Sequence, residues 1–249
     1  MKSLVFISHI FEEKDIAFLV KDFIEEAFLG MIDVFISSDK DSISLGQKWL
    51  NSITDSLKNC SIEIILCSPE SIKRPWINFE AGAGWIRDIP VIPLCHSGIE
   101  PSNLPLPLNL LQAAKANEIS NLNMLLPVLA QAIGSKNPSY DFTEFVKKVK
   151  DFEAQYTFWG QCNKIFQDIN QFNNQIVPAL KLNKNISISL TDFDIKFFES
   201  FSPFLKTHNL IDFKKIGGVQ MTPTGTFYGC EINVLPDLQK IMNDTNFKI

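Results

Sequence analysis

The chain has 249 residues, 45% hydrophobic and 20% charged, enough for one large domain or two small ones with cores of their own. Its net charge of −5 offers no global basic field, so neither nucleic acid nor an anionic membrane is an expected partner. Cys60, Cys67, Cys95, Cys162 and Cys230 form no CxxC pair, and His9, His96 and His208 are far apart, so no metal site is expected and the thiols read as reduced and cytoplasmic.

The opening MKSLVFISHIFEEKD turns acidic too soon for a signal peptide or a spanning helix, and no later window has bilayer length. LVFIS (4–8) is β-prone, and DIAFLVKDFIEEAFL (15–29) has helical spacing through Ile16, Leu19, Phe23 and Ala27. IDVFISS (32–38) reads as a strand and QKWLNSITDSLKNC (47–60) as a helix. SIEIILCS (61–68), PWINFEAGAGWIRD (75–88) and PVIPLCH (90–96) follow as strand, helix and strand. This alternation predicts βαβ units around a parallel sheet with helices on both faces, whose buried strands are nearly continuous apolar runs such as IEIILC. In open sheets of this kind the working crevice lies beyond the carboxyl ends of the strands. That rule selects 8–15, 37–46, 68–76 and 96–107.

GIEPSNLPLPLNLLQ (98–112) reads as a loop into a short helix, and EISNLNMLLPVLAQAI (118–133) as a helix that Pro127 turns or kinks. GSKNPS (134–139) has linker composition and places a boundary between domains at 1–134 and 140–249. Beyond it, 140–180 is a Phe-rich helical stretch with a candidate break at Gly160. ISISL (186–190) reads as a strand and 191–211 as a helix capped by Thr191 or Asp192. Residues 213–235 read as two alternating strands around GG and TPTG turns, and PDLQKIM (236–242) as a last helical turn. Helix, helix, hairpin, helix is a winged-helix-like order. With only Lys214 and Lys215 near the wing, docking of a protein partner is expected ahead of DNA.

One carboxylate is unusual. Glu80 stands alone in RPWINFEAGAGW, and on a helix Trp76 would share its face. An aromatic plane beside a carboxylate suits a planar cationic group: the ring stacks while the carboxylate stabilises positive charge. The same spacing also fits an amphipathic helix with core tryptophans and one solvated glutamate. His9, in FISH at the end of the first strand, would need a nucleophile partner to be catalytic, and no GxSxG or Cys–His pattern accompanies it. Neither GxGxxG nor GxxxxGK[ST] is present, which counts against ordinary dinucleotide dehydrogenases and P-loop ATPases.

In order, FISH with the following acidic residues, the polar loop SSDKDSISLG leading to Trp49, and LCSPESIKRPWINFE resemble the Toll/interleukin-1 receptor (TIR) domain family over about residues 3 to 134. PVIPLCHSGIEPSNLPLPL resembles the extension of bacterial members. The resemblance implies a flavodoxin-like TIR domain with a central parallel sheet; residues 140–249 lie outside it and read from their own pattern as a smaller, mostly helical domain. It implies cleavage of NAD+ at its nicotinamide–ribose bond, with Glu80 catalytic and NAD+ as substrate rather than cofactor. Ser8, His9, Ser38, Asp39, Trp49, Trp76 and Phe79 would line the site. It further implies self-association through the TIR domain and antiphage defence as the setting. For 140–249 the Phe-rich helices read first as plain core with an interaction surface, ahead of a sensing role. A non-enzymatic TIR adaptor and a nucleoside deoxyribosyltransferase-like enzyme are the alternatives.

Overall fold

The computed structural model describes residues 3–37, 49–223 and 225–249, with nothing of the side chains of 49 and 50. The chain forms two compact units, Met1–Tyr156 and Thr157–Ile249.

In the first unit, β1 (Ser3–Ser8), α1 (Lys14–Ala27), β2 (Ile32–Ile36), α2 (Trp49–Asn59), β3 (Ile62–Cys67), α3 (Pro75–Ile86), β4 (Val91–Cys95), β5 (Ala114–Lys115) and α4 (Ile119–Ile133) alternate along the chain. All sheet pairings are parallel, in the order β2-β1-β3-β4-β5. The order reverses at β1, so the crevice of an open sheet falls between the carboxyl ends of β1 and β3. β3 is buried along its whole length. Each of its isoleucine and leucine side chains contributes roughly 1.5–3 kcal/mol by leaving water.

Strand alternation sorts the sheet into two faces. Val5, Ile7, Ile62, Ile64, Leu66, Ile92 and Leu94 pack with α1 and α4 in one large core. Ile65, Cys67, Val91 and Cys95 face Ile77 and Ala81 of α3, while Phe6 meets Ile53 and Leu57 of α2. α4 continues through Pro127, held by a buried stripe of Leu122, Leu125, Leu126, Leu129 and Ala130, so Pro127 does not end the helix in a turn.

The division between units falls inside α5 (Thr143–Phe172), not at the linker-like 134–139. Phe142, Phe145, Val146 and Val149, at helical spacing, complete the large core of the first unit, so residues 140–156 belong with it. Gly160 does not interrupt α5; the break comes at 173–175, before α6 (Ile176–Lys181).

In the second unit, α6, β6 (Ile186–Leu190), α7 (Asp192–Thr207), β7 (Ile211–Thr222), β8 (Gly225–Val234) and α8 (Leu238–Met242) follow the end of α5. The antiparallel sheet has the order β6-β8-β7. Thr191 caps α7: its Oγ1 accepts from the Asp194 amide at 3.3 Å, and Asp194 answers in a capping box. The expected GG turn is instead a bulge inside one long strand. Gly217 and Gly218 take φ of +100° and +79°, and the β7–β8 register shifts across them. The hairpin and its preceding helix follow the winged-helix order. A helix-turn-helix, however, needs two consecutive helices, and β6 separates α6 from α7. Phe198 stacks on Phe213 at 5.1 Å, and Phe166 meets Phe247 edge-on at 5.2 Å, so much of the Phe-rich sequence is core.

Candidate active site

The loop from β3 to α3 is tied down by its own serines. Ser71 Oγ accepts from the Ser68 amide at 2.7 Å and donates to the Leu66 carbonyl at 3.2 Å. Arg74 is extended and Pro75 opens α3, where its missing N–H leaves no hydrogen bond unmade. α3 therefore starts just beyond the end of β3 and carries Glu80 back over the sheet.

Glu80 has no solvent-exposed surface. Ser8, the last residue of β1, donates from Oγ to Glu80 Oε2 at 2.5 Å. Trp76, one helical turn earlier, donates from its indole nitrogen to Oε1 at 2.7 Å. Both oxygens thus have a donor, one from β1 and one from α3 itself. Burial pushes the Glu80 carboxyl up to about 7, and the hydrogen bonds from Ser8 and Trp76 limit the rise. Near neutral pH the group stands close to half-ionised. Trp76 is half-buried and stacks at 5.1 Å on Phe79, whose ring is 60% exposed. The aromatic pair leads from the carboxylate to the surface.

Behind Glu80 on the same sheet face lies Glu63, in β3, also without exposed surface. Among the described residues neither of its oxygens has a hydrogen-bond partner. Burial, then the nearby Glu80 charge, pushes its carboxyl up to about 8. Its carboxylate fills the space that a side chain at Gly84 would occupy.

The opposite sheet face carries a second polar cluster. Glu13, in the turn before α1, is buried. Its Oε1 lies 3.4 Å from His96 Nε2 and accepts from Tyr156 Oη at 3.3 Å, while the Ile10 amide approaches Oε2 at 3.5 Å. Tyr156 Oη also meets Ser68 Oγ at 3.2 Å, and Ser97 Oγ lies 2.9 Å from His96 Nδ1. Glu153, one turn before Tyr156, accepts from the Ser97 amide at 2.8 Å and from Asn117. The cluster ties the first half of α5 to the ends of β3 and β4.

The structure thus brings Ser8 and Trp76 to Glu80 and sets Phe79 against Trp76. His9, one residue beyond Ser8, belongs to the other face. Its Nδ1 lies 3.1 Å from Ser37 Oγ, and burial lowers it to about 4 against the opposing pull of Glu13. Imidazole there is neutral at pH 7. Ser38 and Asp39 lie outside the described residues, and Trp49 is described only as the first residue of α2. The residues that the reading of the sequence missed are Glu63, Glu13, Tyr156 and Ser68, with His96 noted but given no role. A glutamate inside the apolar run IEIILC was the available signal for the first; the others are joined only by the fold.

No cysteine is set up as a nucleophile: burial raises Cys67, and pushes Cys95 up to about 12. Among the described residues no group of His, Cys, Asp and Glu is arranged to hold a metal, and no helix is long and apolar enough to cross a membrane.

The fold and the buried carboxylate define an open, doubly wound α/β domain with one acidic group at its topological switch point. Residues 5–126 match the family model of the TIR domain, and this part of the chain is a TIR domain. Solved structures similar to the chain include the TIR domain of the Toll-related receptor TRR-2 from Hydra magnipapillata. It is 18% identical, with 53% of this chain and 98% of that one covered and a TM-score of 0.41. Another is the TIR domains of the activated Roq1 resistosome recognizing the pathogen effector XopQ, 14% identical over 62% of this chain and 81% of that one, with a TM-score of 0.34. No curated protein matches the chain.

Proposed function

We propose that this chain cleaves the nicotinamide–ribose bond of NAD+, with Glu80 as the catalytic residue and no further cofactor. The observation that carries the reading is a fully buried carboxylate, held by Ser8 and Trp76 at the switch point of the sheet and poised near neutral pH. Nicotinamide is a cationic leaving group, so it departs with the bonding electron pair as a neutral base and needs no general acid. The positive charge passes to the ribose. An ionised Glu80 stabilises that oxocarbenium-like centre and orients the ribose hydroxyls, as carboxylates do in glycoside hydrolysis. Attack by water then yields ADP-ribose and a proton; attack by a group of the substrate itself yields a cyclic product and a proton.

The Trp76 indole occupies Oε1, so substrate engages the carboxylate when that indole swings aside toward exposed Phe79. Self-association through the TIR domain is part of the proposal, since it can supply the reorganisation that opens Glu80. A cytoplasmic setting in antiphage defence, with 157–249 as the sensing or partner-docking unit, extends it.

A second reading, the non-enzymatic adaptor, is favoured by the same complete burial of Glu80, which then serves only to pin α3 to β1. Incubating purified protein with NAD+, with and without induced clustering, followed by mass spectrometry, separates the two. Release of nicotinamide with ADP-ribose or a cyclic isomer is the expected result. Intact NAD+ beside folded, clustered protein supports the adaptor.

A further inference from the structure

We propose that Glu63 is a positioning residue for Glu80: it is the proton-bearing member of a buried carboxylate pair, and by staying neutral it keeps Glu80 available as the anion. The inference rests on the proposed role of Glu80 for its meaning in catalysis, but the pairing itself stands on the geometry.

The strand register sets Phe6 and Val91 on either side of Glu63. Glu63 shares its sheet face with Ile65 and Cys67, the face covered by α3. Across from it, α3 presents Gly84, and a Cβ at Gly84 would collide with the Glu63 carboxylate and with a Val91 methyl. Glu80 is one turn earlier on that helix face, about 5–6 Å away between side-chain roots. One carboxylate therefore reaches α3 from below at Gly84, while α3 carries the other to Ser8.

Among the described residues, the titratable and charged groups facing Glu63 are Glu80 from α3, Arg87 just past its end, and Cys60 from the segment after α2. Arg87 does not neutralise it. That guanidinium donates to the Leu57 carbonyl at 2.6 Å and lies 3.2 Å from Cys60 Sγ. Ser8 and Trp76 each donate to Glu80 and favour its anion. Glu63 has no well-formed hydrogen bond among the described residues. Only the Gly84 backbone and the more distant Arg87 pull toward its anion, against burial and the Glu80 charge. Like charges in one dry space do not both ionise, so the less well supported group keeps the proton. A buried carboxyl as poorly satisfied as Glu63 is otherwise a cost without a return. Ionising Glu63 would repel Glu80, and displacement of the Gly84 turn would draw Glu80 away from Ser8.

Sign follows from linkage. Glu63 binds its proton more tightly in the folded chain than in the unfolded one, so its contribution to stability is complete below about pH 4.5 and is lost as pH rises through about 8. Thermal unfolding of wild type, Glu63→Gln, Glu80→Gln and the double variant is measured at pH 5 and pH 9. At pH 9 each single variant melts above wild type, and the double variant gains less than the sum of the two, because one repulsion is removed only once. At pH 5 the coupling vanishes. Additive effects at both pH values, or equal melting curves for wild type and Glu63→Gln at pH 9, overturn the pairing.

Nicotinamide release gives the catalytic half of the test. With each rate taken relative to its own value at pH 7, wild type loses activity as pH climbs past about 8, whereas Glu63→Gln shows no such fall. Parallel profiles overturn the positioning role. If no protein releases nicotinamide at any pH, the proposed reaction fails, and with it any role of Glu63 in catalysis, while the melting cycle still decides whether the carboxylates are paired.

Discussion

Glu13 and Glu80 are both fully buried at the carboxyl ends of the same parallel strands, on opposite faces of one sheet, yet their surroundings differ in kind. Glu13 has a histidine beside it, a tyrosine donor and a backbone amide within reach. That is the environment of a structural anchor, a carboxyl surrounded by polar partners from several elements and used to fasten α5 to the strand ends. Glu80 has two neutral donors, no cation paired with it among the described residues, a second carboxyl behind it and an aromatic pair leading outward. Burial alone therefore does not mark a functional acid. The informative feature is a carboxylate whose charge is left uncompensated where a developing cation could meet it.

The largest effect expected from this contrast is at Glu80. Glu80→Gln keeps the shape and one acceptor but removes the charge, and at pH 7 should lower nicotinamide release by about 100-fold or more with the protein still folded. Glu13→Ala should do the reverse: leaving its buried polar neighbours without their acceptor costs about 1–3 kcal/mol, a fall of roughly 2–12 °C for a domain of this size, with activity per folded molecule retained. A Glu13→Ala protein that stays fully stable and loses turnover would exchange the roles assigned to the two faces.

Smaller effects sharpen the same division. Gly84→Ala gains about 1 kcal/mol of helix propensity but sets a methyl against the Glu63 carboxylate, so net destabilisation in calorimetry is expected. Ser8→Ala removes one donor that favours the Glu80 anion. The rise of activity with pH, centred near 7 in wild type because the ionised form is the active one, should move upward in the variant. A midpoint that moves downward contradicts the hydrogen bond as a stabiliser of the anion.

Much of this fold is written in local pattern. Period and length separate LVFIS, IDVFI and IEIILC as strands from the amphipathic helices between them, and Ser8 and Trp76 follow from the end of one strand and a four-residue spacing. The boundary at 134–139 misled because Gly, Ser and Pro composition is local. What assigns 140–156 to the first unit is that Phe142, Phe145 and Val149 complete a core assembled elsewhere in the chain. His9 follows the last residue of β1, and its contact with Ser37 is not spelled out by the FISH motif. Tyr156 meets Glu13 across 143 positions and carries no sequence signal. Glu63 did carry one, a charge inside a run otherwise fit for a buried parallel strand.

The most direct test of the central claim compares nicotinamide release from NAD+ by wild type, Glu80→Gln and Glu13→Gln under clustering, each shown to be folded. Release by wild type and Glu13→Gln, with Glu80→Gln reduced to background, is the predicted result. Release by Glu80→Gln at the wild-type rate would contradict it.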